Sequence, residues 1–343
     1  MPVTRIEWTA TTTADGTVLP GYTFNPWVGC TKVSPACDHC YAEGWATRTG
    51  QSHLWSGDRR RTSESNWYQP VKWDREAAAA AVRRRVFCAS LADVFDNQVP
   101  TRWREDLWHR IAQTPHLDWL LLTKRPQNIA KMLPDPATGV KPWGCGWRNV
   151  WLGTTTENQE EADRRIPHLL SVPAAVHFLS CEPLLGFLRL PAQDAYWQPI
   201  DWVICGGESG PGARPMHPAW ATSLRDQCAD ADIPFFFKQW GDWAPHTPAP
   251  GGNLGGDLGA ERVRIVHPTG QTNVEVFLAT GGLSTIPGSR FMARVGKKSA
   301  GATLRGCEWR QFPCVATENV AGVSEPENAR RERAARRAGN ESA

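Results

Sequence analysis

Between residues 74 and 239, apolar and polar positions alternate in blocks. Short, nearly unbroken apolar runs recur at Val86-Phe87-Cys88-Ala89-Ser90, Trp119-Leu120-Leu121-Leu122, Asn149-Val150-Trp151-Leu152, Val176-His177-Phe178-Leu179, Trp202-Val203-Ile204-Cys205 and Pro234-Phe235-Phe236-Phe237. Such runs are what strands buried on both faces require. Between them the apolar residues spread out to a helical period. An alanine-rich helix is predicted over Asp74–Arg85, a second from Thr101 as its cap with Trp103, Leu107 and Ile111 on one face, and a third carrying Trp220, Leu224 and Cys228. From Cys88 to Phe237 the predicted strand ends fall 25 to 34 residues apart, the interval of a strand–helix repeat. Tyr22–Val28 reads as a shorter first strand, followed by a loop and a helical start over Tyr41–Thr47. The pattern predicts an α/β protein with a parallel sheet, either open and doubly wound or closed toward a barrel.

Outside the repeat the chain reads differently. Residues 10–22 are rich in Thr and Gly, and Asp15-Gly16 between Thr and Val predicts a small hairpin, taken as an insertion. Residues 48–73 are polar and irregular and read as a long surface excursion, either a lid or disordered. Pro and Gly end the repeat between Trp243 and Gly259. A β-like pair around Val263–Val266 and Val274–Phe277 and the segment Gly296-Lys297-Lys298 then suggest an appendage. The expected organisation is a core over 1–242, an appendage over 243–319 and a polar, disordered tail over 320–343, where no aromatic residue occurs.

Composition changes this picture in two places. Ten cysteines would suit disulfides in a secreted chain, but Met1-Pro2-Val3-Thr4-Arg5 opens no apolar leader and no run of 18 apolar residues occurs. The expectation is therefore reduced thiols, a cytoplasmic setting and no membrane. A formal net charge of +3 does not by itself name nucleic acid as a partner; Arg59-Arg60-Arg61 and Arg83-Arg84-Arg85 read as solvated faces or as a grip on a strand. Most of the 18 tryptophans are expected in the core, leaving a few as stacking platforms for bases.

In parallel sheets the chemistry gathers beyond the carboxyl ends of the strands, and here those ends carry Ser90 and Asp93, Thr123-Lys124-Arg125, Thr154-Thr155-Thr156-Glu157, Ser180 and Glu182, Gly206-Gly207-Glu208-Ser209, and Lys238-Gln239. Cys30, Cys37 and Cys40 fall within eleven residues, just after the first predicted strand. Three soft thiolates in one loop select zinc, copper(I) or an iron–sulfur cluster. A zinc knot would need a fourth ligand such as His39 or His53, whereas a cubane held by three cysteines keeps one iron open. Cys88, Cys181 and Cys205 at other strand ends read as small core packers. Paired Gly206-Gly207 lets a backbone approach a ligand while Glu208 offers an acceptor for an ammonium or ribose hydroxyl, or else caps a tight turn. Glu182 on a buried strand end should be answered by a ligand or by Lys124 or Arg125, and Thr154, Thr155 and Ser180 are candidate hydroxyl contacts to ribose.

The cysteine loop, with Ile6-Glu7-Trp8-Thr9 and Phe24-Asn25-Pro26 before it, resembles the phage Gp37/Gp68 family (DUF5131) of three-cysteine proteins. Leu122-Thr123-Lys124-Arg125-Pro126, Gly153-Thr154-Thr155, Ser180-Cys181-Glu182-Pro183-Leu184, Gly206-Gly207-Glu208-Ser209-Gly210 and Gly296-Lys297-Lys298 carry the resemblance over most of residues 5–313. That family is similar in turn to radical S-adenosylmethionine (SAM) enzymes. The resemblance implies a partial TIM-like (β/α)6-7 barrel and a 4Fe-4S cluster on Cys30, Cys37 and Cys40. It also implies SAM on the open iron, reductive cleavage of SAM to a radical that takes a hydrogen atom, and an electron donor of the flavodoxin or ferredoxin kind. Three departures stand out: the spacing is C-x6-C-x2-C where radical SAM enzymes usually have C-x3-C-x2-C, residues 10–22 look like an insertion, and Gly-Gly-Glu follows the sixth predicted strand where theirs follows the second. Gly206, Gly207, Glu208, Glu182, Ser180 and Thr154 are thus expected at a SAM-or-substrate site. The expected substrate is a nucleotide or nucleic-acid base; the rival reading is a zinc-containing, non-catalytic nucleic-acid-binding protein.

Overall fold

The computed structural model describes residues 3–13, 15–192, 195–196, 198–247, 263–273 and 287–314. Residues 1–313 form one compact unit and 314–343 a second, of which only Cys314 is described. The expected tail and the strand over 274–277 lie outside the described residues.

Seven parallel strands make the core: β1 Tyr22–Phe24, β2 Arg84–Cys88, β3 Leu117–Thr123, β4 Val150–Thr155, β5 Val176–Cys181, β6 Trp202–Gly206 and β7 Phe235–Gln239. They lie side by side in chain order, β1 to β7, with no reversal. A doubly wound sheet needs a point where that order reverses. Without one, right-handed crossovers all return over the same face and the sheet curls toward a barrel. β1 and β7 are not paired, so the barrel is partial.

The helices are α1 Tyr41–Arg48, α2 Glu64–Ala79, α3 Thr101–Ala112, α4 Gln159–Leu170 and α5 Pro218–Asp230. Leu107, Ile111, Ile166 and Leu224 from them pack on Val86, Leu121, Leu152 and Val203 of the sheet, fully or almost fully buried. Cys88, Cys181 and Cys205 sit in this same core, as small packers do. The concave face is filled by aromatic rings around Trp8, whose ring lies 4.8 Å from Phe87 and 6.4 Å from both Phe178 and Trp202. Phe312 adds to it, 5.6 Å from Trp202 and 5.4 Å from Phe236. Edge-on and tilted rings of this kind bury large apolar area at that level of the interior.

Several local expectations need correction. The first strand stops at Phe24, because Asn25-Pro26 turns the chain; Trp27–Val28 instead pairs antiparallel with Arg60–Arg61. The helix expected from Asp74 begins at Glu64, capped by Ser63 accepting from the Asn66 amide at 3.4 Å. Trp67, Pro70, Trp73 and Ala77 form its buried stripe, which polar neighbours disguise in the sequence. Pro100, not Thr101, occupies the cap position of α3. Between β3 and β4 there are only single 3-10 turns, and no helix is described between β5 and β6. The hairpin at Thr11–Thr12 and Val18–Leu19 is as expected.

Most arginines of the two runs have partners within the chain, and the Arg59 side chain is buried. Arg59 pairs with Asp96 at 2.6 Å, Arg61 with Asp106 at 2.9 Å and Arg83 with Asp118 at 2.6 Å. Arg84 and Arg85 donate to the carbonyls of Pro20 and Ala10. They act as tethers, while Arg60 stays exposed and Arg61 and Arg83 keep about a third of their side chains open to solvent.

After β7 the strands β8 Trp243–His246, β9 Val263–Val266, β10 Thr272–Asn273 and β11 Arg290–Arg294 form a small antiparallel sheet in the order β8-β11-β9-β10. The chain then returns to β7: the Phe237 amide donates to Trp309 and the Gln311 amide to Phe235. This covers the outer edge of the partial barrel, where unpaired backbone groups would otherwise lie open. No helix of the described residues is long and apolar enough to cross a membrane.

Candidate functional site

The cysteine loop begins where glycine is required. Gly29 has φ +119°, and a Cβ there would lie 2.7 Å from the carbonyl oxygens of Leu54 and Asp58. Its amide donates to Leu91 and the Cys30 amide to Leu54. Part of the 48–73 stretch, expected as a lid or disordered, is therefore a buttress: Leu54 and Asp58 pack against the start of the loop. Asn25 fixes the approach by accepting from the Leu91 amide at 2.8 Å and donating to the Ser90 hydroxyl at 3.0 Å.

Charged side chains from the carboxyl ends of three strands reach the loop. Beyond β3, Arg125 donates to the Thr31 carbonyl and hydroxyl, both at 3.0 Å, and to the Cys30 sulfur at 3.6 Å. Asp93 holds the same guanidinium at 3.0 Å. Beyond β4, Glu157 accepts the Ala36 amide at 3.2 Å and is gripped by Arg165 at 2.8 Å, with both side chains buried. Beyond β6, Arg214 donates to the Pro35 carbonyl at 2.9 Å and to Asp38 at 3.2 Å. Arg214 is held in turn by Glu208, at 2.6 and 2.9 Å, and Glu208 also binds His39 at 3.0 Å. Buried charges persist only when paired and hydrogen-bonded, so each anchor comes with its counter-ion.

The electrostatics follow from these contacts. Burial pushes the Cys30 thiol up to about 11, Asp93 adds to that, and Arg125 opposes it. Burial is the largest influence on the Glu157 carboxyl and pushes it up, but the Arg165 charge together with hydrogen bonding and the Lys124 charge holds the group below its ordinary value. Glu208 likewise lies below the ordinary carboxylate range, because Arg214 and His39 outweigh its burial.

The other expected residues fall around the same mouth with different tasks. Glu182 is answered by Lys238 at 3.0 Å, not by Lys124 or Arg125; the latter is committed to Asp93 and the loop. The Thr154 hydroxyl is buried and donates to the Thr123 carbonyl at 2.9 Å. Ser180 is buried at the end of β5, in register with Thr155, whose buried hydroxyl has no partner among the described residues. Tyr41, directly after Cys40, donates to the Ser90 carbonyl at 2.6 Å while its side chain is 64% exposed. The two glycines serve close packing. A Cβ on Gly206 would lie 2.5 Å from Glu182 Oε1, and one on Gly207 would lie 1.9 Å from the Trp240 carbonyl oxygen.

That difference predicts unequal mutants. In Gly206→Ala a flexible side-chain end can move aside, whereas in Gly207→Ala backbone must shift. Gly207→Ala is expected to cost about 1–3 kcal/mol as an overpacked site, with a clearly lower Tm than Gly206→Ala. Equal melting temperatures would show that the second glycine is not there for packing.

The sequence pointed to the thiols and to Glu208; the structure adds Arg214, Asn25 and Glu157 as anchors of the loop. Arg214 follows Gly210-Pro211-Gly212-Ala213, which carries no periodicity, and its loop partners Asp38 and Pro35 lie 176 and 179 positions away in the chain. Glu157 was visible as a strand-end acid, but nothing in the sequence tied it to Ala36.

Three free thiols in one loop, held over the mouth of a partial (β/α) barrel, define the class of this protein. A family model described as "Protein of unknown function (DUF5131)" matches residues 3–313, and the chain belongs to that family, the three-cysteine Gp37/Gp68 group to which its motifs pointed. No curated protein matches the sequence. Two solved structures are similar, both of spore photoproduct lyase. One, a double mutant with bound AdoMet and dinucleoside spore photoproduct, is 12% identical with a TM-score of 0.36, covering 84% of this chain and 72% of that one. The other, a cysteine-to-alanine mutant with the dinucleoside, is 11% identical with a TM-score of 0.35, covering 67% of this chain and 66% of that one.

Proposed function

We propose that this protein is a radical SAM-like enzyme in which Cys30, Cys37 and Cys40 hold a 4Fe-4S cluster, SAM binds the open iron, and a nucleotide or nucleic-acid base is the substrate. The donor set fits the cluster. Cys30, Cys37 and Cys40 are all free and none is fully buried, while Asp93, Glu157, Glu182 and Glu208 are each committed to a cation, leaving soft sulfur as the available donor. Among the described residues no three His, Cys, Asp or Glu side chains converge as for a single ion; a cubane takes its three sulfurs on three different irons and does not ask for that. When bound, the cluster and SAM supply one-electron cleavage of the sulfonium and a radical able to take a hydrogen atom.

The chain's own residues do the rest. Arg125, Glu157 and Arg214 fix the loop at three points, so the thiols are presented by a rigid rather than a flexible segment. Glu208, with Gly206 and Gly207 letting its turn pack, acts through Arg214 and His39 on that loop. Thr154 shapes the rim through the Thr123 carbonyl. Glu182, Ser180 and the partnerless Thr155 hydroxyl offer the polar groups for the amino-acid and ribose ends of SAM. Lys238 and the exposed Tyr41 ring supply a cation and a stacking face at the mouth, which suits a phosphorylated base. Aromatic packing below them keeps water from the concave face.

The observation that carries this reading is a loop of three thiols free of disulfides, anchored by buried or partly buried ion pairs. Anaerobic purification tests it: a brown protein with about four irons per chain, releasing 5′-deoxyadenosine from SAM when reduced, is the expected result. A colourless protein with one zinc would replace it with the nucleic-acid-binding reading.

A further inference from the structure

We propose that Arg125 sets the reduction potential of the metal cluster by placing its guanidinium charge and one N–H donor against the Cys30 sulfur. This rests on the cluster assignment just made. Arg125 is only 6% exposed and comes from the Leu122–Pro126 segment, which the assignment of ligands leaves without a task. One of its terminal nitrogens lies 3.6 Å from the Cys30 sulfur and 3.0 Å from Asp93, while the other is locked to Thr31 by two hydrogen bonds of 3.0 Å. Thr31 is the residue after Cys30, so these bonds fix the guanidinium beside the sulfur. Asp93 is itself held, accepting from the Thr123 hydroxyl at 2.7 Å, the Lys124 amide at 3.1 Å and the Phe95 amide at 2.9 Å.

The physical consequence has a definite sign. Reduction adds one electron to the cluster from a low-potential one-electron donor, dithionite in the experiment below; no bond forms and the local charge becomes more negative by one. A nearby cation stabilises that added charge, and an N–H donor to a ligand sulfur draws electron density from it; both raise the potential. Burial strengthens the effect, since little solvent screens it. Asp93 works in the opposite direction and moderates the cation. Arg125 and Asp93 therefore form a pair whose members pull the potential apart.

Opposite signs are what a merely structural pair would not produce. EPR-monitored redox titration with dithionite, with iron counted in each sample, should show Arg125→Gln shifted to lower potential by about tenfold in the reduction equilibrium, 59 mV for one electron. Asp93→Asn, which keeps Arg125 and removes its counter-charge, should shift upward. If Arg125→Gln fails to load iron, Asp93→Asn decides alone. An iron-loaded Arg125→Gln at the wild-type potential, shifts of the same sign in both variants, or loss of iron from both would overturn the proposal while leaving the cluster assignment intact. A wild-type protein without iron would overturn that assignment and this inference together.

Discussion

Cys37→Ala is expected to give a colourless protein whose iron falls from about four per chain to none, with 5′-deoxyadenosine formation lost altogether. Two thiolates remaining in the loop cannot hold a cubane that keeps one iron for SAM, so the loss is total rather than graded. The fold should survive, because Cys37 lies in a short 3-10 turn and is only partly buried, outside the hydrophobic core. Wild-type far-UV circular dichroism alongside lost iron is the expected pair of results. Iron and product persisting in the variant would mean that this thiol is not a ligand.

Arg165→Leu should be the most destabilising of the substitutions considered. Arg165 is 1% exposed and joins Glu157 at 2.8 Å, Glu161 at 2.9 Å and the Thr155 carbonyl at 2.8 Å. Removing it leaves the Glu157 carboxylate buried without a cation, while Glu161 keeps Arg164. Stranding a buried charge costs about 3–5 kcal/mol, read as a lower urea midpoint. Adding Glu157→Gln should recover part of that loss, since the stranded charge is then gone. A double variant no better than the single one would show that the arginine acts by packing. The pH dependence has a fixed sign. The folded-state pKa of Glu157 is depressed, so its contribution is complete above the unfolded carboxylate value and is lost as pH falls through the lower folded value. Wild-type stability should therefore decline on acidification below the ordinary carboxylate range, and this part of the decline should be missing in Glu157→Gln.

The sheet was legible because strands buried on both faces leave continuous apolar runs, and Trp119–Leu122, Val176–Leu179 and Trp202–Cys205 could hardly be anything else. Helix starts were less legible. The stripe of α2 includes Pro70, a residue that argues against a helix interior, and is surrounded by polar neighbours, so Glu64–Trp73 read as part of a surface excursion. At the site, residue type identified the thiols, since sulfur selects its metals whatever the fold. Roles that depend on pairing did not show in the sequence. Lys238 answering Glu182 across 56 positions, or Arg214 reaching Asp38 across 176, are products of strand order, not of local pattern. Gly206-Gly207 adds a requirement the sequence does not show: a side chain at either position would meet Glu182 or the Trp240 backbone.

The return of residues 309–311 onto β7 bears on how this protein can be shortened. A truncation after the last core strand, near residue 247, would discard the segment that shields that strand and turn a finished rim into an adhesive one. The small antiparallel sheet is thus spliced between the core and its own seal, and a minimal soluble version has to keep the ending even if it trims the middle.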